Sequence, residues 1–297
     1  VAAAVGFVWP LGGETGLKMP AWLDDFLWAY SSFIYGLGVN AILGLSMYAV
    51  LALGQLSLGQ AAFMGIGAYT SAVLTVKFGV PFPLVLCAAM AAPAFAATLI
   101  GVPTLRLTGV YLAMATIGFG EVMRILYINT DYIGGALGFS GIPEKAQGWI
   151  IYGLLAVILL GFVSATRSKL GRAFEAIRDD EDAARAIGIN VAAYKFTTLL
   201  ISAALAGLAG ALNAHYSSFI GPNEYGFDTA VTILSFAILG GVTTPLGPVL
   251  GAFVLSALPE LLRPLHDFRL VFNGLIIVLV VIFLPRGILG FRVRRVG

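Results

Sequence analysis

The sequence predicts an all-α, polytopic membrane bundle of about ten transmembrane helices, from three observations. Charged residues make up only 11% of the 297-residue chain, against about 25% in soluble domains. Mean hydropathy is +0.95, which leaves too little polar surface for a soluble fold. The apolar residues lie in long unbroken blocks. A spanning helix needs about 20 such residues to cross about 30 Å of hydrocarbon. A β-barrel would show apolar–polar alternation instead, which these blocks lack.

In chain order the blocks are 1–9, 28–53, 61–76, 84–104, 108–127, 149–166, 194–214, 229–241, 246–262 and 270–284. The first is too short to span and lacks a basic n-region. It reads as the end of a helix truncated here rather than as a signal peptide. The 229–241 block is short for a full span and reads as a candidate broken or re-entrant helix. The whole of 1–297 reads as one transmembrane domain, with a polar loop at 167–193 inside it.

Orientation follows from the bases. Arg167, Lys169, Arg172, Arg178 and Arg185 crowd the longest polar interruption, and Arg286, Arg292, Arg294 and Arg295 crowd the tail. By the positive-inside rule both are cytoplasmic. An even number of spans separates them, as two ends on one side require. Both termini then lie in the cytoplasm, and 10–26 and 129–148 lie outside. Ala203, Gly207 and Ala211, and likewise Ala206, Gly210 and Ala214, recur every four residues and predict close-packed helix faces.

Several chemistries are excluded or unsupported. There is no G-x-x-x-x-G-K-[ST] loop to cradle a nucleotide. His215 and His266 are isolated, read as interfacial polar residues, and define no metal site. Cys87 is the only cysteine, permits no internal disulfide, and reads as a small buried hydrophobe. No catalytic set is recognisable. Net charge is +2 without a basic stripe, so nucleic acid is not an expected partner.

The polar loop is the most informative segment. Asp179 or Asp180 can cap a helix in which Glu181 and Asp182 suit the first-turn dipole, and Gly188 can end it. Ala183, Ala184 and Ile187 are expected to form a small apolar face on this helix of about two turns. A surface helix so short is marginal alone, so a partner groove would account for it.

The run EDAARAIG at 181–188 resembles the EAA loop of bacterial ATP-binding-cassette importer permeases. GQLSLGQAAF (54–63), YLAMATIGFGE (111–121), GFSGIP (138–143) and GPVLGA (247–252) resemble the permeases of high-affinity branched-chain amino acid importers, the M-type subunit in particular. Gln60 stands where that family usually has histidine. Thr108 and Val110 replace a common Arg and Asp. Thr243 and Pro245 alter a glycine-rich turn.

The resemblance implies a permease of the bacterial inner membrane. Its implied partners are a second homologous permease, two cytoplasmic ATPases carrying ATP and Mg, and a periplasmic binding protein. No cofactor is implied in this chain. The implied cargo is a branched-chain or related amino acid; urea, amides or another small polar compound is the alternative. An ion-coupled secondary transporter is the rival from another class. The resemblance also implies that Arg172, Glu181, Asp182, Ala183, Ala184, Ile187, Gly188, Ile189 and Asn190 couple to an ATPase.

Two glycine-interrupted breaks, 54–59 and 240–247, are candidates for the substrate path. Broken helices expose free amides and carbonyls. Each break also reads as a tight cytoplasmic turn. Gln55, Ser57, Gly59 and Gln60 belong to the first, Thr243 and Gly247 to the second. Tyr111, Thr116 and Glu121 are further candidates. Glu121 is an intramembrane carboxylate three residues from Arg124, which can pair with it.

Overall fold

The computed structural model describes residues 30–104, 107, 109–261, 274 and 287–288. The expected spans at 1–9 and 270–284, His266 and the basic tail residues Arg286, Arg292, Arg294 and Arg295 lie outside them. In chain order the described helices are α1 (Ser31–Leu51), α2 (Gln60–Val76), α3 (Phe82–Thr104), α4 (Val110–Asn129), α5 (Gly148–Thr166), α6 (Lys169–Asp179), α7 (Glu181–Ala186), α8 (Val191–Ser217), α9 (Phe227–Gly240) and α10 (Leu246–Leu261). Five of them, α1, α3, α4, α5 and α8, are long and apolar enough to cross a bilayer. The chain is a helical membrane protein. One departure from an all-α fold is a two-residue antiparallel ladder, Phe139–Ser140 on Phe219–Ile220.

The 27-residue α8 is the centre of the bundle and packs against α1, α2 and α3. Its small residues make this possible. Ala203, Ala206, Ala211 and Ala214 are fully buried. A Cβ on Gly67 of α2 would lie 2.2 Å from the Gly207 carbonyl oxygen, so the two backbones touch. The expected small-residue faces are therefore the packing surface between α8 and its neighbours. By contrast α5 is almost bare, with Val157 and Leu160 facing outward.

Cys87 departs from expectation and is exposed. Helix α3 turns Val85, Ala89, Pro93 and Ala97 inward at four-residue spacing, which leaves Cys87 on the opposite side. His215, two residues from the end of α8, is fully buried. Its Nδ1 lies 3.0 Å from the Pro143 carbonyl, which can only accept, so Nδ1 donates there. Nε2 then accepts from the Thr75 hydroxyl at 3.2 Å. Two elements and a loop are thereby clamped together.

The ends of the helices gather at two ends of the bundle. The α1 C-terminal turn meets the 167–195 segment: Leu53 shares a buried cluster with Ile177, Ala184 and Val191. At the other end of the bundle, the Tyr216 hydroxyl donates to Ser32 near the start of α1. There too Lys77 at the end of α2 caps the Tyr132 carbonyl beyond α4 and stands 3.2 Å from the Tyr132 ring centroid.

Helix α9 has 14 residues, about 21 Å at 1.5 Å per residue, which is short of a bilayer crossing. It turns at 241–245 into α10, which packs back along it. This fits the reading of 229–241 as an incomplete span.

A candidate translocation and coupling site

The 54–59 break is not a tight turn. Leu53 sits at the level of Val191, where α8 begins. From there Gln55–Gly59 runs without helix, and α2 starts at Gln60. The Gln60 Nε2 donates to Ser202 Oγ at 3.1 Å. Ser202 lies eleven residues into α8, about 17 Å along it. Five extended residues cover about 17 Å as well. The chain therefore re-enters the bundle alongside α8, and α2 begins near mid-depth.

Side chains hold this re-entrant segment. The Leu58 amide donates to Thr116 Oγ1 at 2.9 Å, and the Gly59 amide approaches Ser57 Oγ at 3.4 Å. Ser46 of α1 donates to the Ser202 carbonyl at 2.8 Å. Phe63 of α2 meets Phe119 of α4 with ring centroids 5.5 Å apart. A narrow cleft lies beside the segment and is lined by Gln55, Ser57, Thr104, Thr116 and apolar residues of α3, α4 and α8. A second narrow cleft is lined by Leu58, Glu121 and Tyr225 among others.

Of the sequence-predicted path residues, Gln55, Ser57, Gly59, Gln60 and Thr116 come together here. Glu121 lies in the second cleft, where Arg124 Nε donates to it at 2.9 Å and Arg124 Nη1 donates to Asn223 at 3.1 Å. Tyr111 does not join them. It is 72% exposed, on the outward side of α4. Thr243 lies in the α9–α10 turn and Gly247 in the first turn of α10, where a Cβ on Gly247 would lie 2.0 Å from the Gly241 carbonyl oxygen. That close approach accounts for Gly247. Ser46, Ser202, Thr104 and Leu53 were not singled out from sequence. Hydroxyls in the middle of apolar helices were the available signal for the first two.

The segment around α7 is built by capping. Asp180 accepts from the Asp182 and Ala183 amides at 2.9 and 3.0 Å and starts α7. Gly188 ends it at φ +88°, the left-handed region. Asn190 accepts from the Ala193 amide at 3.1 Å and starts α8. Asn190 is thus a helix cap, and the partly buried Ile189 packs on the Leu53 cluster.

The expected apolar face divides in two. Ala184 is 1% exposed and points into this chain, against Leu53, Ile177 and Val191. Ala183, Ala186 and Ile187 face out, the last at 74% exposure. A six-residue helix fastened to the bundle must turn one side inward, and the Leu53 turn takes Ala184. Arg172 and Asp182 are exposed, and Glu181 bonds to Lys195 and Arg185.

A helical membrane protein with a chain that re-enters to mid-depth beside a cleft has the architecture of a transport permease. Residues 29–284 match the family described as branched-chain amino acid transport system permease component, and the chain belongs to that family. It is 36% identical over 291 residues to the high-affinity branched-chain amino acid transport system permease protein LivM of Escherichia coli strain K12, covering 86% of this chain and 67% of that protein. It is 30% identical over 163 residues to LivH of the same strain, across 53% of this chain and 52% of that one. The autoinducer 2 import system permease LsrC of Klebsiella pneumoniae is 28% identical over 171 residues, across 53% of this chain and 48% of that protein. No solved structure matches the chain significantly.

Proposed function

We propose that this chain is the permease subunit of an ATP-driven importer that moves branched-chain amino acids across the bacterial inner membrane. The single observation that carries the reading is the 36% identity to LivM across 86% of the chain. The re-entrant segment supports a path beside Gln55, Ser57 and Thr116, with Glu121 on the second cleft. Alternating access opens the path to one side at a time. A second permease, homologous to LivH, completes the membrane core. Two cytoplasmic ATPases bind ATP and Mg and dock on the outward side of α7. A periplasmic binding protein delivers the cargo. Under this reading 167–193 and both termini are cytoplasmic.

The test is co-expression of the chain with candidate partners, purification, and reconstitution into liposomes. Co-purification of a second permease and two ATPases, with leucine uptake that requires ATP and loaded binding protein, is the expected result. Uptake driven by a proton or sodium gradient without ATPases would overturn the reading in favour of a secondary transporter. ATP-driven uptake of urea or amides, with leucine ignored, would overturn the cargo alone.

A further inference from the structure

Helix α5 is both the most apolar and the least buried of the five long helices. It carries no charged side chain and packs on α1. Its exposed residues Val157, Leu160 and Ser164 recur every three or four positions and form one outward stripe. The exposed side of α4 is different. It holds the Glu121–Arg124 pair within a span, and charged groups at such depth face protein or water rather than lipid. The stripe on α5 has no such group and is the side that lipid covers.

The stripe runs into exposed Arg167 at the same spacing, just where the span ends. Lys169 and Leu170 follow and open α6. By helical period Leu170, Ala173 and Ile177 share one side of α6. Ala173 and Ile177 are buried on the bundle, but Leu170 is 47% exposed. The first turn of α6 therefore overhangs the bundle beside the lipid-facing end of α5. Arg167 and Lys169 flank Leu170 and are exposed, and neither pairs with a carboxylate among the described residues. An apolar side chain between two unpaired bases at the end of a lipid-facing span complements a bilayer surface. The leucine enters the acyl boundary, and the bases reach headgroup phosphates.

We infer that Arg167, Lys169 and Leu170 form a foot that binds an anionic phospholipid at the end of α5. The foot needs only a membrane-spanning chain and is independent of the cargo. The experiment uses the full chain with a nitroxide on Leu170→Cys in a Cys87→Ser background, since Cys87 is the only native cysteine. In vesicles of phosphatidylcholine and phosphatidylglycerol, oxygen should reach the label and an aqueous nickel chelate should not. In detergent, phosphatidylglycerol should slow the label at a concentration about tenfold or more below that of phosphatidylcholine, because each base near a headgroup is worth about fivefold. Glycerol phosphate, which has no acyl chains, should not slow it. Arg167→Gln with Lys169→Gln should erase the preference. Arg172→Gln with Arg185→Gln removes equal charge elsewhere on α6 and α7 and should keep it. A preference that survives loss of Arg167 and Lys169 overturns the foot, as does a label that the nickel chelate reaches. A label slowed only by added ATPases overturns it too and gives this turn to a protein partner. If the Arg167→Gln, Lys169→Gln chain fails to fold, the depth of the label and the lipid preference of the unaltered bases decide.

Discussion

Lys195, buried in the second turn of α8, donates a hydrogen bond to the Glu181 carboxylate that opens α7. The two ends of the contact differ: the Lys195 side chain is 6% exposed and that of Glu181 is 32% exposed. Helix α7 is therefore fastened to the central helix by a charge contact as well as by the Leu53 cluster.

Removing the two partners should have unequal effects. Glu181→Ala strands a buried ammonium and should cost the folded permease about 3 kcal/mol. Lys195→Met leaves Glu181 partly solvated, with Arg185 still 3.5 Å away, and should cost about 1 kcal/mol. Thermal unfolding of the purified subunit in detergent compares them. Equal losses would show that the exposure difference does not control the energetics.

The inward and outward sides of α7 should separate folding from docking. Ala184→Asp places an unpaired carboxylate among Leu53, Ile177 and Val191 and should destabilise the permease itself by several kcal/mol. Ile187→Asp changes an exposed residue, so the permease should fold normally and retain its ATPases at least about tenfold less well. A pull-down beside a melting curve distinguishes the two. Normal ATPase retention in Ile187→Asp would remove the outward side of α7 from the docking surface. Arg185→Glu probes an electrostatic docking surface in the same assay.

Gly188 has φ +88° and nothing within 4 Å of where a Cβ would project. Its substitution cost is then backbone strain alone. Gly188→Val should cost about 1–3 kcal/mol, and Gly188→Asn less, because asparagine enters the left-handed region more readily. The readout is ATPase stimulation by loaded binding protein. Equal behaviour of the two variants would rule out the conformational explanation.

Glu121→Gln removes the ionic partner of Arg124 but leaves the Arg124–Asn223 hydrogen bond at 3.1 Å. A structural pair predicts lower subunit yield or melting temperature, with leucine KM near wild type. A stable, assembled variant without uptake would instead make Glu121 part of the path.

Topology can be checked by cysteine labelling in a Cys87→Ser background, since Cys87 is exposed. Single cysteines at Ser168 and Val293 should be protected from impermeant thiol reagents in intact cells, and one at Gln147 should react. Labelling of the Ser168 position from outside would invert the orientation.

Much of this was legible in the chain because it is local. Block length limits a helix to crossing or not crossing the membrane, as the short 229–241 segment illustrates. Asp180 and Gly188 bracket α7 through capping and left-handed geometry, which involve only neighbouring residues. Repeated small residues marked the face of α8 that its neighbours approach.

The sequence by itself determined that this is a helical membrane protein, where most of its helices begin and end, and which family it belongs to. Only the tertiary structure decided that α2 starts near mid-depth, because that depth is set by Gln60 meeting Ser202 across 142 positions of chain. The same holds for Ala184: a helical period says which residues share a side of α7, but Leu53, from a distant turn, decides which side is buried. Cys87 was misread for this reason too, since an apolar block in lipid has apolar residues all round and carries no record of which side meets protein.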